Sequence, residues 1–158
     1  MKTGSISLFL LLILIGCTNN GKLTEEPANK SISGEEPPKA MIQIGNQLYE
    51  TKLGSYCWTS RCVDTAGPTE MLKDKKPIAV KPGDEIKFVM EYQPKPNKFH
   101  LEQFHENKQS EVVLNNNGFH APVQEGIYYY SYGTWWMDDI EANVSRGSAV
   151  YAFAIKVN

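Results

Sequence analysis

The chain has 158 residues, 41% hydrophobic and 22% charged, with 18 acidic against 16 basic side chains and a net charge of −2. That length suits one domain around a single core. The weakly acidic balance excludes an electrostatic case for binding nucleic acid, which needs a basic surface.

The first element is an apolar run, Ile6 to Ile15, broken only by Ser7 and preceded by Lys2. A membrane-spanning helix needs about 20 apolar residues, so this run is too short to cross and reads as a secretory signal over residues 1–16. The sequence Leu14, Ile15, Gly16, Cys17 resembles the lipobox of bacterial lipoproteins. The resemblance implies that diacylglycerol is attached to the Cys17 thiol and that cleavage just before it makes Cys17 the mature N-terminus. Each buried methylene contributes about 0.8 kcal/mol, and two acyl chains satisfy the two-signal requirement for stable anchoring. The expected location is the outer, extracytoplasmic face of the cell membrane, with the membrane as first partner. The alternative is an ordinary secreted protein with an incidental cysteine. Loss of the signal removes Lys2 and takes the charge from −2 to −3.

Thr18 to Ala40 is rich in Asn, Gly, Lys, Glu, Pro and Ser, has no aromatic residue, and carries only Leu23 and Ile32 as large apolar side chains. Such a stretch buries too little surface to offset its ordering entropy. Residues 17–40 therefore read as a lipidated flexible tether, reaching roughly 27 Å as a coil.

From Met41 the pattern becomes short alternating runs between turn residues, which predicts β-strands over residues 41–158. Ile42 and Ile44 lead to Gly45 and Asn46, a two-residue hairpin turn, and Leu48 to Trp58 returns. Residues 69–75 predict one short helix. The turn Lys81, Pro82, Gly83, Asp84 precedes Ile86, Phe88, Met90 and Tyr92, which alternate with Lys87, Val89 and Glu91. Phe99, Leu101 and Gln103 face opposite to His100, Glu102 and Phe104. Glu111 to Leu114 predicts a short strand ending in Asn115, Asn116, Asn117, Gly118. Gly126 opens an aromatic strand with Tyr128, Tyr130 and Tyr132 on its core face, and Ala149 to Val157 closes the chain. About seven strands at this spacing, with no sustained helical period, predict an all-β fold of two packed antiparallel sheets.

Gly126, Ile127, Tyr128, Tyr129, Tyr130 resembles the strand F signature of immunoglobulin-like domains. The resemblance implies a β-sandwich of immunoglobulin-like type, with Tyr128 as the corner tyrosine bonding to upstream backbone and Tyr130 where the immunoglobulin cysteine usually stands. No cysteine pair spans the sheets, so the antibody-type arrangement is excluded.

Apart from Cys17, the cysteines are Cys57 and Cys62, an even number suited to an oxidising compartment. A disulfide between them closes a small loop containing Trp58, Thr59, Ser60 and Arg61, a local staple contributing roughly 2 kcal/mol. A thiol–disulfide redox pair is the competing reading, although the spacing differs from that of thioredoxin-like sites and no helix N-terminus lowers a thiolate pKa. Zinc would need two further ligands, and His100, His105 and His120 are not closely paired.

Gly54, Ser55, Tyr56, Cys57, Trp58 with Cys62, Val63, Asp64 and Ala66, Gly67, Pro68, and later Tyr130, Ser131, Tyr132, Gly133 with Trp135 and Trp136, resemble a family of small uncharacterised lipoproteins of Gram-positive bacteria. The likeness covers most of residues 41–157. It implies the envelope location and a β-rich fold, and it brings no catalytic residues.

No Gly-x-Ser-x-Gly elbow is present for a serine hydrolase. Carboxylates at Asp64, Asp138, Asp139 and Glu141 offer material for glycoside hydrolysis or calcium binding, but read more simply as a solvated acidic loop without EF-hand spacing. A blue-copper site would need a cysteine near the last strands, and none follows Cys62. No catalytic residue, metal or cofactor is therefore assigned. The aromatic supply near loops is what remains. Trp135 and Trp136 are adjacent, so in a strand they point to opposite sides and only one is readily core; Trp135 and Trp136, the neighbouring Asp138 and Asp139, and Trp58 in the cysteine loop are the candidate ligand-binding residues. The competing reading packs all three tryptophans inside. The sequence thus predicts a lipid-anchored binding module whose partner is an envelope protein or cell-wall glycan. The alternatives are an envelope redox protein or other enzyme using Cys57 and Cys62, and an accessory or inhibitor subunit of a neighbouring membrane protein.

Overall fold

The structure, a computed structural model, describes Met1 and residues 31–158. The apolar part of the leader, Cys17 and the first part of the tether lie outside the described residues. Among the described residues, no helix is long and apolar enough to cross a membrane.

The chain folds as two packed β-sheets. The first hairpin is β1 (Met41–Ile44) and β2 (Gln47–Glu50), turning at Gly45, whose φ of +57° suits glycine. β3 (Lys52–Trp58) and β4 (Arg61–Val63) form the cysteine hairpin, followed by the single-turn helix α1 (Pro68–Met71). β5 (Ile78–Val80) precedes the turn at Lys81–Asp84, where Asp84 Oδ2 accepts from Lys81 N at 2.8 Å and Gly83 has φ +77°. β6 (Glu85–Val89), β7 (Lys98–His105), β8 (Lys108–Glu111) and β9 (Gly118–His120) follow. β10 (Gly126–Asp139) and β11 (Val144–Val157) are the longest strands, of 14 residues each.

The smaller sheet has the order β2-β1-β6-β9 and the larger β4-β3-β11-β10-β7-β8. All pairings are antiparallel except that of β5, which runs parallel beside Ile155–Val157. The fold is therefore the all-β sandwich that the alternation implied. Among the described residues eleven strands are present against about seven expected. β5 and β9 have three residues each, too few to show alternation. The strand expected at Glu111–Leu114 is displaced: β8 is an exposed edge strand, and an edge buried on neither face carries no apolar pattern. Val112 and Leu114 instead pack against the core from outside any strand.

Ile42, Ile86, Phe88 and Phe119 line the inner face of the smaller sheet against Leu101, Tyr130, Phe153 and Ile155 of the larger. Tyr130 stacks on Phe153 with centroids 4.8 Å apart. Three buried tyrosine hydroxyls find acceptors in the core: Tyr130 donates to Gln103 Oε1 at 2.8 Å, Tyr132 to Asn117 Oδ1 at 3.2 Å and Tyr151 to the Pro38 carbonyl at 2.6 Å. Burial pushes the pKa of all three well above the ordinary tyrosine range. Tyr128 donates to the Gln124 carbonyl at 3.0 Å, four residues upstream, as a corner tyrosine does.

The domain begins earlier than Met41. Pro37 and Ala40 are buried, and Ile32 packs against the core. Ser33 N donates to the Tyr92 hydroxyl at 2.7 Å, and that hydroxyl donates to the Ser33 carbonyl at 3.1 Å. Arg61 Nη2 donates to Glu36 Oε1 at 2.8 Å. Residues 32–40, expected as part of the tether, are thus a strap laid along the sandwich. The side chains that hold it come from distant parts of the chain, which composition of the segment itself does not reveal.

Candidate functional site

Strong alternation along β10 separates its side chains. Tyr128, Tyr130, Tyr132, Thr134 and Trp136 point inward and are buried, so Tyr129, Ser131, Gly133 and Trp135 point to the outer face of the larger sheet. Of the two adjacent tryptophans Trp136 is core and Trp135 is half-buried on the outside. The register then sets a row across five strands: Cys62 opposite Cys57, Cys57 opposite Ser148, Ser148 opposite Trp135, and Trp135 opposite Lys98.

Trp135 reclines along the sheet. The six-membered ring of its indole fills the space above Gly133, where a Cβ would come within 2.5 Å of it. Any other residue at 133 would drive the ring away. Lys98 Nζ lies 6.0 Å from the ring centroid and donates to Asn143 Oδ1 at 3.1 Å. In the next row His100 stands opposite Gly133. Its Nε2 is 3.4 Å from Glu102 Oε1 and its Nδ1 is 3.3 Å from Glu111 Oε1. Glu102 Oε1 also accepts from Gln109 Nε2 at 2.6 Å. An aromatic surface therefore adjoins a cluster of carboxylate acceptors on a rigid sheet.

Trp58 and Trp136, both candidates from the sequence, are not at this surface. They are 1% and 3% exposed and form an aromatic trio with Tyr92. Trp136 Nε1 donates to the Pro94 carbonyl at 2.7 Å, while Trp58 Nε1 has no hydrogen-bond partner among the described residues. Lying between two exposed cysteines placed Trp58 in the right loop but on the wrong face. Their role as surface ligand-binding side chains is corrected to that of core anchors.

Asp138 and Asp139 stay at the tip of the β10–β11 hairpin. Asp138 pairs with Arg146, and Asp139 Oδ1 accepts from Ala142 N at 2.9 Å. Both fasten the tip, and Lys98, bonded to Asn143 of the same tip, links it to Trp135.

Cys57 and Cys62 form a disulfide on the outer face of the edge hairpin, and both are exposed. The three histidines are dispersed. His105 Nδ1 donates to the Ile127 carbonyl at 2.9 Å and its ring stacks on Tyr128, while His120 Nδ1 donates to the Gly83 carbonyl at 3.1 Å. Among the described residues, no group of three or more His, Cys, Asp or Glu is placed to hold a metal ion.

One feature had no sequence signal. Phe88, Tyr132 and Phe99 form a column of nearly parallel rings, with centroids 3.6 and 6.0 Å apart, and Phe99 is 41% exposed. Alternation put Phe99 on the same face as Leu101 without saying which face is inner, and the ring borders clefts of about 430 and 400 Å³.

By fold and site the protein is an all-β sandwich with an aromatic and acidic patch on its larger sheet. Compared with protein families, curated proteins and solved structures, the chain matches none of them.

Proposed function

We propose that the protein is a lipid-anchored binding module of the cell envelope, held on the outer face of the membrane through Cys17, whose binding face is the outside of the larger sheet around Trp135. The signal-like leader and the lipobox resemblance support the location, and the strap at residues 32–40 holds the domain end of the tether firm. The observation that carries the binding reading is the indole of Trp135 lying over Gly133. A core tryptophan sits under an opposing sheet; this one lies on the outer face of β10, and tryptophan is enriched among the anchors of recognition surfaces.

The test is retention of the exported protein on isolated envelope material. Trp135→Ala is expected to lower affinity roughly tenfold, equivalent to about 1.4 kcal/mol, while Trp135→Phe keeps most of it. Equal retention of wild type and Trp135→Ala would remove the face from consideration.

A second reading rests on a separate observation, the exposure of both disulfide sulfurs' residues on an edge hairpin. Accessible disulfides exchange with attacking thiolates, so a redox role predicts that a Cys57→Ser variant loses exchange with a disulfide reporter while the binding face still functions.

A further inference from the structure

We infer that the ligand of the Trp135 face is a neutral pyranose glycan chain, an assignment that rests on the binding reading above and names its substrate class. Four observations narrow the chemistry.

First, an aromatic face on the outside of a sheet offers a flat apolar surface with a negative quadrupole. A pyranose ring presents a matching patch of polarised C–H groups. Second, the polar groups in the adjoining row are mainly acceptors: Glu102 and Glu111 flank His100 within 3.4 Å. Ionised carboxylates only accept hydrogen bonds, so the ligand must supply donors. Sugar hydroxyls do so at close spacing along a chain.

Third, the same carboxylates oppose a polyanion. Nucleic acids and polyphosphate wall polymers gain affinity by neutralising phosphates with Lys and Arg, and in the rows adjoining the indole Lys98 is set against Glu102 and Glu111. Fourth, an extended peptide has no backbone to pair with here. β10 is hydrogen-bonded to β11 on one side and β7 on the other, so its N–H and C=O groups are already used. What remains is a ligand that is flat, hydroxylated and uncharged. The small side chains at Ser131, Gly133 and Ser148 leave the strip around the indole low, which suits a chain lying across the strands.

The reporter is built in. Trp58 and Trp136 are buried, so among the three tryptophans Trp135 is the one open to a solution quencher. The full exported protein would be titrated with a β-1,4-linked N-acetylglucosamine oligosaccharide, and separately sedimented with glycan sacculi stripped of wall polyphosphate. The inference expects protection of Trp135 from acrylamide on binding. It expects roughly tenfold weaker binding for Trp135→Ala and for Gly133→Val, which pushes the indole off the sheet, and a loss of several-fold for Glu111→Ala. Glu111 is exposed, so its removal tests recognition without endangering the fold.

Absence of binding to both glycan probes, with Trp135-dependent retention on envelope material intact, overturns the glycan assignment and leaves the binding face standing. Loss of both removes both. Glycan binding that is unchanged in Trp135→Ala, or preferential binding to a glycerol-phosphate polymer, also overturns the assignment.

Discussion

Trp58 and Trp136 meet edge to face with ring centroids 4.7 Å apart, although they sit on β3 and β10 with β11 between them. They can do so because the residue of β11 opposite Trp136 is Gly147, where a Cβ would come within 2.8 Å of Trp58 and 2.7 Å of Ile32. One missing methyl lets two indoles close over a strand and receive the strap. Gly147→Ala is therefore expected to destabilise the domain by about 1–3 kcal/mol through overpacking. Trp136→Ala should cost about 3–5 kcal/mol, and Trp135→Ala less than about 1 kcal/mol because its ring is half-exposed. Urea unfolding of the three variants checks the order; a Trp135→Ala variant as unstable as Trp136→Ala would make Trp135 a core residue.

Tyrosine hydroxyls from elsewhere in the chain bond the backbone of the strap. Tyr92→Phe removes both bonds to Ser33, and each is worth about 1 kcal/mol. The expected result is local: amides in residues 32–40 exchange roughly fivefold or more faster, while global stability falls by no more than about 1–2 kcal/mol. Hydrogen exchange read by mass spectrometry resolves the segment. Unaltered exchange there would mean that apolar contacts of Ile32, Pro37 and Ala40 hold the strap unaided.

The disulfide closes a short hairpin that β11 already supports. Replacing both Cys57 and Cys62 by Ser is expected to lower stability by about 2 kcal/mol and to leave Trp58 buried, with no change in emission maximum. Thiol alkylation of the wild type should modify both residues only after reduction. Two thiols labelled without reductant would instead give the pair a reactive role.

Alkaline pH should unfold the domain through its core hydroxyls. Burial raises the pKa of Tyr130, Tyr132 and Tyr151 above that of the unfolded chain, near 10. The unfolded state then releases protons first, so the stability these groups contribute is complete below pH 10 and falls as pH rises above it. Absorbance at 295 nm should show these three tyrosines ionising only with loss of near-ultraviolet circular dichroism. Ionisation of all eight tyrosines near pH 10 in the folded protein would contradict their burial.

The sequence alone determined whatever depends on neighbours along the chain. A period of two is a property of the extended backbone, so alternation marked β6, β10 and the end of β11 and put Trp135 and Trp136 on opposite faces. Local turn chemistry marked Gly45 and the Pro82–Asp84 turn, and short spacing marked the Cys57–Cys62 pair as a staple. Tertiary structure decided everything that depends on what lies opposite. Period two fixes relative faces only; that Trp136 and Trp58 turn inward follows from the strand order that sets β3, β11 and β10 side by side with Gly147 between the indoles. The strap at residues 32–40 has the composition of a tether and is ordered by Tyr92, Arg61 and Tyr151 from three distant parts of the chain. Phe99 points inward as alternation requires, yet it is exposed because the facing sheet ends before reaching it. Burial is a property of two surfaces, and a single strand's sequence specifies only one of them.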